Sequence, residues 1–383
     1  MQYRNFGKLD WQVSALGFGA MRLPIIGEDS GAIDEPEATR MIRHAIDEGV
    51  NYVDTAWGYH RENSEKVIGR VLQDGYREKV RLATKMPSWL IKSQADMDYH
   101  LEEQLNRLQT DHIDFYLLHS LDRSRWENLR DLEVFAWAEK QRAAGKFRYL
   151  GFSFHDKYPV FDEILSAYDW DFCQIQYNYM DIHEQAGMKG LRQAAERGIA
   201  VVIMEGLQGG NLAKDPAPPE VQKIFDASDK GWTPAEWALQ WLWDQPEVAV
   251  VLSGMTTMEQ VEQNLATASK GGVGTMSEED KRLVLEVQKV YKTLKAIGCT
   301  ACEYCLPCPS GVHIPRVFDM WNSGVMYGVQ KSAQRRYNTF IAPENRGDMC
   351  VECGQCETLC PQQLEIIEGL KKAHRYLTEP IEA

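Results

Sequence analysis

The chain of 383 residues carries 42 basic and 56 acidic side chains, a formal net charge of −14, and 44% of its residues are hydrophobic. Such a composition is typical of a folded protein rather than a disordered or collagen-like chain, and the acidic balance disfavours nucleic acids or an anionic membrane surface as partners. No apolar run approaches the roughly 20 residues that span a bilayer, and the start of the chain lacks the apolar stretch of a secretory signal. We therefore expect a cytoplasmic protein whose partners are small molecules or other proteins.

From about residue 15 to residue 268, short apolar segments alternate with stretches of helical periodicity. Eight segments predict strands, at residues 15–19, 51–54, 80–85, 113–119, 149–154, 172–176, 200–204 and 248–254. Helical stretches between them include residues 37–48, 93–108, 126–144, 188–197 and 233–243. Eight such units predict an α/β fold, a closed (β/α)8 TIM barrel, whose usual size is roughly 250 residues. A doubly wound open sheet is the alternative, although no G-x-G-x-x-G motif follows the first strand.

Segments outside this alternation complete the predicted first domain. The first 14 residues predict a hairpin that turns at Gly7 and Lys8 and plugs the bottom of the barrel. Three prolines make residues 211–231 the clearest irregular stretch, which is either a mobile flap over a ligand or an ordinary surface loop. A helical stretch at residues 277–297 leads out of the barrel, so we place the first domain at residues 1–290 and the second at residues 291–383.

Three consecutive predicted strands end in an ionisable residue, namely Asp54, Lys85 and His119. In a barrel, the side chains that meet a ligand stand at the carboxyl ends of the strands. Because an unpaired charge is costly to bury, these groups must pair with one another, bind a ligand, or both. A structural salt bridge beside a hydrogen-bonded histidine is the alternative. Tyr59, five residues after Asp54, is close enough in sequence to join the group.

The segment DTAWGYHRENSEKVIGRVL, together with Lys85 in LATKM and His119 in LLHS, resembles the active-site pattern of the aldo/keto reductase superfamily over roughly residues 1–270. The resemblance implies reduction of a small carbonyl substrate with NADPH or NADH by a catalytic tetrad of Asp54, Tyr59, Lys85 and His119. In this chemistry Lys85, paired with Asp54, lowers the pKa of Tyr59, which acts as the general acid. His119 orients the carbonyl oxygen or relays the proton.

The same resemblance implies cofactor contacts at the ends of the later strands. They are Ser153 and Gln174 for the carboxamide, Met204 with Gly206 and Leu207 around the ring, and Gly254, Gln260, Gln263 and Asn264 for the adenosine phosphate. The family's asparagine after Ser153 is absent. Gln260 stands where many relatives place a basic residue, which leaves the choice between NADPH and NADH open. Structural roles in loops, caps or the core are the alternative for these residues.

Eight of the nine cysteines form two quartets, Cys299, Cys302, Cys305 and Cys308, then Cys350, Cys353, Cys356 and Cys360. The second quartet matches the C-x2-C-x2-C-x3-C-P run of two-cluster ferredoxins, and the first is one residue shorter. The resemblance implies two 4Fe-4S clusters with exchanged fourth ligands, so that Cys360 joins the first three cysteines and Cys308 joins the second three. A pair of zinc sites is the alternative. The intervening residues 309–349 predict a small, mainly helical iron-sulfur domain.

A hydride-transfer barrel and one-electron clusters in one chain leave two functional hypotheses. The leading one is an oxidoreductase that interconverts a carbonyl and an alcohol with NAD(P)H. The alternative is an iron-sulfur electron-transfer or redox-sensing subunit whose barrel binds a nicotinamide with little turnover. The clusters either exchange electrons with a ferredoxin-like partner, or they are structural or sense redox state. A flavin mediator is left open. Trp57, Met86 and Trp89 lie just beyond strand ends and are candidates for lining an aromatic pocket.

Overall fold

The computed structural model describes residues 1–380, which divide into two compact units. The first unit comprises residues 1–209 and 235–278, and the second comprises residues 210–234 and those from 279 onward. Residues 381–383 of the predicted second domain lie outside the described residues. Within residues 1–380, no helix is both long and apolar enough to cross a membrane.

The strands of the described chain lie in the first unit. Two of them form an antiparallel hairpin, β1 (Tyr3–Phe6) and β2 (Leu9–Ser14). The others form a closed parallel barrel in the order β10-β3-β4-β5-β6-β7-β8-β9 and are β3 (Leu16–Gly19), β4 (Tyr52–Asp54), β5 (Arg81–Met86), β6 (Ile113–Leu121), β7 (Phe147–Phe154), β8 (Phe172–Gln176), β9 (Ala200–Met204) and β10 (Val248–Ser253). The predicted (β/α)8 barrel is confirmed, and the open sheet is excluded.

The α-helices of residues 1–380 follow in chain order. They are α1 (Glu35–Asp47), α2 (Ser64–Val71), α3 (Gln94–Leu108), α4 (Arg123–Asp131), α5 (Val134–Ala143), α6 (Tyr158–Ser166), α7 (Gly187–Glu196), α8 (Pro219–Asp226), α9 (Pro234–Trp243), α10 (Met258–Lys270), α11 (Glu278–Thr293), α12 (Ile314–Met326), α13 (Gln330–Phe340), α14 (Gln355–Leu359) and α15 (Ile366–Thr378).

Two predicted segments differ from the structure. The helix expected at residues 126–144 is interrupted between α4 and α5, because Glu133 adopts a left-handed backbone with φ of 56°. The stretch at residues 211–231 contains α8 and is not wholly irregular. Pro219 starts this helix, where a proline needs no hydrogen-bond partner, and Val221 and Phe225 bury its apolar side one turn apart.

The interior of the barrel is filled by side chains from alternate strand positions, and the hairpin closes its bottom. Phe115 of β6 contacts Phe172 of β8, with ring centroids 5.1 Å apart. The hairpin inserts the fully buried Phe6 beneath them, 4.7 Å from the ring of Phe115. Its turn requires Gly7, at φ of 57°, because a Cβ there would lie 2.4 Å from the carbonyl oxygen of Gly198. The predicted plug is therefore present.

The second unit is mainly helical, as predicted. Helices α12, α13 and α15 pack together around a separate apolar core. Phe318, Tyr337 and Leu370 are buried at its centre, one from each of these helices. The partly buried cysteines lie along the edge of this core. The partly buried cysteines therefore stand beside the apolar packing, whereas Cys356 is buried within it.

Candidate active site and cluster-binding thiols

The closed barrel brings three of the strand-end residues and Tyr59 together at its carboxyl-terminal mouth. Lys85 Nζ donates to Asp54 Oδ1 at 2.6 Å and to the backbone carbonyl of Thr55 at 2.8 Å. The same ammonium lies 3.3 Å from the Tyr59 hydroxyl. His119 stands next to Tyr59, with ring centroids 6.1 Å apart and the rings nearly perpendicular. The four residues thus form one cluster.

Strand alternation explains why these side chains face inward. Ala83 and Lys85 occupy the same face of β5, and Ala83 belongs to the apolar interior of the barrel. Thr84, between them, points outward, where its hydroxyl donates to the buried carboxylate of Glu65 at 2.5 Å. Gln104 of α3 donates to Glu65 and also to the backbone carbonyl of Lys85, at 2.6 and 3.0 Å. A buried polar network therefore holds β5 from behind the site.

Burial and the Asp54–Lys85 pair act in opposite directions on the titration of this cluster. Burial acts to lower the pKa of Lys85, but the attraction of Asp54 and then Tyr59 outweighs it and raises the pKa. Burial also raises the pKa of Tyr59 above its usual value near 10, and Lys85 only partly opposes this rise. Lys85 therefore acts on the pKa of Tyr59 in the expected direction, but burial outweighs it in the protein alone. Its phenol keeps its proton at neutral pH and is available as a donor.

His119 lies between the tetrad and an exposed aromatic side chain. Its ring is 5.1 Å from that of Trp89, which is 43% exposed. Burial, and then the charge of Lys85, holds the pKa of His119 well below its usual range. The imidazole is consequently neutral, and its Nδ1 has no hydrogen-bond partner among the described residues. A neutral ring with an unused nitrogen suits a hydrogen bond to a bound ligand.

The other two residues considered for an aromatic pocket have different surroundings. Met86 is fully buried and packs in the core outside the barrel interior. Trp57 lies beneath the guanidinium of Arg107, 3.5 Å from its ring centre, and contacts the His100 ring edge-on at 4.4 Å. Only Trp89 of the three is exposed beside the tetrad.

The residues assigned to the carboxamide lie on neighbouring strands. Ser153 of β7 pairs in register with Gln174 of β8. Gln174 Nε2 donates to the sulfur of Met204 at 3.4 Å, whereas its buried Oε1 has no partner within residues 1–380. Ser153 Oγ accepts from the backbone N–H of Ser120 at 2.6 Å. The unpaired carbonyl oxygen of Gln174 fits the amide donor of a nicotinamide carboxamide, so these residues suit that group.

The residues assigned to the rest of the cofactor differ in burial and in their contacts within the protein. Gly206 is buried, and a Cβ there would lie 2.8 Å from Leu242. Leu207 is partly buried against the core, and the loop between β10 and α10 begins at the exposed Gly254. Asn264 donates to Ser253 Oγ at 3.0 Å within the protein.

Gln260 performs a capping role at the start of α10. Its Oε1 accepts from the backbone N–H of Thr256 at 2.8 Å, and its own N–H donates to Oγ1 of the N-cap residue Thr257. This arrangement resembles a capping box, except that Gln260 accepts from the residue before the N-cap. The partly buried Gln263 lies on the same helix, where its carbonyl accepts from Thr267.

Sequence reasoning missed an amide cluster at the end of β8. The Oδ2 atom of Asp181 accepts from the side-chain amides of Gln176, Asn178 and Gln208 at 3.3, 2.9 and 3.1 Å. Gln176 follows Gln174 by two positions, so strand alternation places both on one face. That spacing was a usable signal for Gln176. The approach of Gln208 from a different loop could not be read from the sequence.

The first group of thiols surrounds a cavity in the second unit. The cavity is lined by Cys299, Cys302, Cys305 and Cys360, with Ile314 and Phe318 among its apolar residues. Cys360 thus joins the first three cysteines. Across residues 1–380, no three Cys, His, Asp or Glu side chains converge closely enough to hold a single ion. Thiols spread around a cavity suit a cubane cluster, in which each thiolate binds its own iron.

The second group of thiols includes Cys308. Burial, followed by the neighbouring Cys350, raises the pKa of Cys356 to about 11, and Cys308 adds a smaller effect of the same sign. Cys308 differs from the others, because hydrogen bonds from Ser310 and the backbone outweigh burial and lower its pKa. Cys302 and Cys353 are the exposed members of the two groups. The structure therefore places Cys360 with the first three cysteines, and Cys308 near Cys350 and Cys356.

Comparison with known proteins assigns both parts of the chain. Residues 15–271 match the aldo/keto reductase family, and residues 298–365 match the 4Fe-4S dicluster domain. The chain is 29% identical over 305 residues to YrpG of Bacillus subtilis (strain 168), described as an uncharacterized oxidoreductase, covering 69% of this chain and 90% of that protein. It is 26% identical over 333 residues to L-galactose dehydrogenase of Arabidopsis thaliana, covering 82% and 98%.

A solved structure agrees with these matches. The holo form of the aldo-keto reductase AKR11C1 from Bacillus halodurans superimposes with a TM-score of 0.64 at 26% identity. The superposition covers 75% of this chain and 96% of that one.

Proposed function

Because the chain belongs to the aldo/keto reductase family and carries a 4Fe-4S dicluster domain, we propose that it interconverts an aldehyde or ketone with an alcohol by NAD(P)H-dependent hydride transfer. One observation carries this proposal: Lys85 Nζ stands 2.6 Å from Asp54 and 3.3 Å from the Tyr59 hydroxyl. A buried ammonium next to a phenol stabilises the phenolate that forms when the proton leaves.

In the direction of reduction, Tyr59 donates its proton to the carbonyl oxygen. His119 is neutral and donates a hydrogen bond from a ring N–H to that oxygen, which fixes its position. Lys85 remains charged because Asp54 pairs with it, and it balances the negative charge left on Tyr59. The nicotinamide, when bound, supplies the hydride. In the direction of oxidation, the same residues remove the proton from the alcohol.

The nicotinamide would be held at the mouth of the barrel. Ser153 and the unpaired Oε1 of Gln174 suit its carboxamide, with Met204 beside them. Gly254 opens the loop that leads to α10, where the adenosine phosphate would lie. Gln260 is uncharged and its Oε1 is engaged by the N–H of Thr256, so it offers no fixed cation to select NADPH over NADH.

Two 4Fe-4S clusters complete the proposal. The first would be held by Cys299, Cys302, Cys305 and Cys360, and the second by Cys350, Cys353, Cys356 and Cys308. The match to a dicluster domain and the cavity lined by the first set support iron-sulfur binding over zinc. Clusters supply one-electron chemistry, and cysteines that form no disulfide bonds suit the reducing cytoplasm.

A second candidate function rests on the exposure of Cys302 and Cys353. A cluster with a ligand at the surface can exchange electrons with a ferredoxin-like partner. In this alternative, the protein is an electron-transfer or redox-sensing subunit whose barrel binds a nicotinamide with little turnover.

A single-turnover experiment separates the two functions. Anaerobic purified protein is mixed with NADPH or NADH, first alone and then with a simple aldehyde, while the cluster absorbance near 400 nm and the nicotinamide band are recorded. Nicotinamide oxidation that occurs only with the aldehyde supports the reductase. Bleaching of the clusters without an aldehyde supports electron transfer and contradicts the leading proposal.

A further inference from the structure

A cationic group that the tetrad does not use stands beside the proposed reductase site. Arg125 lies in the first turn of α4, shortly after the strand that carries His119. Its Nη1 donates to the backbone carbonyl of Ser120 at 2.6 Å and to Ser120 Oγ at 3.0 Å. Its Cζ lies 5.9 Å from the centre of the Trp89 ring. The guanidinium is thus anchored at the exit of β6.

Arg125 is only partly neutralised by the protein. Asp122 Oδ2 lies 3.5 Å from its Nη1, whereas Oδ1 of the same carboxylate accepts from the N–H of Arg125 and the hydroxyl of Ser124. Among residues 1–380, Nε and Nη2 of Arg125 have no hydrogen-bond partner. These two donors form one edge of the planar guanidinium, which matches the two oxygens of a carboxylate.

Trp89 connects Arg125 to the reacting groups. The Trp89 ring is 5.1 Å from the His119 ring, which is 6.1 Å from the Tyr59 ring. Tyr59, His119, Trp89 and Arg125 therefore follow one another in a continuous row. The proton donor stands at one end, an exposed apolar surface in the middle, and the cation at the other end.

The two histidines near Arg125, His119 and His155, do not compete with it for an anion. Burial, and then Arg125 itself, lowers the pKa of His155. His119 is likewise held neutral by burial and by the cations around it. Of these three side chains, only Arg125 therefore carries a positive charge at neutral pH. In a chain with a net charge of −14, such a local cation favours the approach of an anionic substrate.

We propose that the substrate is an aldehyde or ketone that bears a carboxylate, which Arg125 binds through Nε and Nη2. This inference rests on the proposed reductase function. The carbonyl oxygen lies at Tyr59 and His119, and the aliphatic chain lies over Trp89. The hydride adds to the carbonyl carbon, and Tyr59 supplies the proton to the oxygen. The carboxylate of the substrate is not changed by the reaction.

Matched aldehydes test the proposal on the full-length protein with its clusters. The pairs are 4-oxobutanoate and butanal, 5-oxopentanoate and pentanal, and 6-oxohexanoate and hexanal. We expect at least one acid to exceed its neutral partner about tenfold in kcat/KM, which corresponds to about 1.4 kcal/mol. Arg125→Gln should bring that ratio close to one. Arg125→Lys should restore part of the preference for the acid, because lysine keeps the positive charge but lacks the two parallel N–H donors.

Arg123→Gln is the matched control. Arg123 lies on the same helix and pairs with Glu163 instead of facing Trp89, so its replacement should leave the ratio at the wild-type value. A wild-type protein without preference in any pair, or an Arg125→Gln protein that loses both activities equally, overturns the proposal. Turnover of no aldehyde contradicts the reductase function instead. Calorimetry with whichever of the three acids shows the largest ratio then decides the site, because its binding must be lost in Arg125→Gln.

Discussion

The barrel site and the cluster-binding thiols are positioned in different ways. Lys85 is fully buried on a strand, and its contacts to Asp54 and Thr55 are made within the barrel wall. Cys302, by contrast, lies in an exposed loop between two residues with left-handed backbones, Ala301 at φ of 54° and Glu303 at φ of 65°. The polypeptide alone assembles the first site. We expect the second site to need bound iron to hold its loops together.

The largest effect should come from removing the proton donor of the barrel site. Tyr59→Phe keeps the ring beside His119 but removes the hydroxyl, so we expect kcat for aldehyde reduction to fall about 10²- to 10⁴-fold. Nicotinamide binding, measured by fluorescence, should persist. Tyr99→Phe is the control, since Tyr99 is 60% exposed on α3. A Tyr59→Phe protein with more than a tenth of the wild-type rate would show that another group delivers the proton.

Iron content tests the exchanged fourth ligands. Cys360→Ala and Cys308→Ala should each lose about half of the iron, because each removes a ligand from one of two cubanes. The double replacement of Cys299 and Cys360 should lose no more iron than Cys360→Ala alone. The double replacement of Cys299 and Cys308 should lose nearly all of the iron.

Cys173→Ala is the control for these variants, since the thiol of Cys173 is buried in β8 of the first unit and belongs to neither group. Its iron content should equal that of the wild type. If Cys299 and Cys308 prove to share one cluster, the assignment with exchanged ligands is wrong.

Removing the clusters should affect the two regions unequally. Chelation after oxidation should expose the cysteine loops at residues 299–308 and 350–360 to limited proteolysis, because no regular secondary structure holds most of them. The barrel should stay resistant, since its strands pair around a closed ring. Mass spectrometry of the fragments locates the cuts. Cleavage that begins within the barrel strands would contradict this difference between the regions.

The smallest predicted effect is the pH dependence of the reduction. Burial raises the pKa of Tyr59 above 10, and the donor form is the one that dominates below its pKa. The chemical step should therefore change little between pH 6 and pH 9 and decline only at higher pH. His119 should add no inflection near its usual pKa, because burial keeps it neutral. A stopped-flow profile that falls steadily across this range would show that Lys85 lowers the pKa of Tyr59 more than burial raises it.

The sequence predicted what depends on local pattern. The alternation of apolar strands and helices was sufficient for the barrel, and the position of Lys85 at a strand end was sufficient to place it at the mouth. The spacing of the second cysteine quartet was sufficient for the iron-sulfur domain. In each case, period and distance along the chain determine the placement in space.

The remainder depends on contacts between distant segments. The direction in which the pKa of Tyr59 shifts depends on its burial by surrounding elements, and the residues next to it in sequence do not reveal that burial. Gln260 could be read as a cofactor contact or a cap, and the hydrogen bond to Thr256 favours the cap. Arg125 could not be distinguished from any charged residue on a helix until its contact with Trp89 was seen.

Transfer of deuterium is the most direct test of the central claim that the barrel delivers a hydride to a carbonyl carbon. Anaerobic protein is incubated with an aldehyde and NADPH or NADH deuterated at C4, on either face, and the alcohol is analysed by mass spectrometry. One deuterium on the carbinol carbon, from one face only, is the predicted result. Alcohol without deuterium from either face, with the label released to solvent, would show that the electrons pass through another route and would contradict the account.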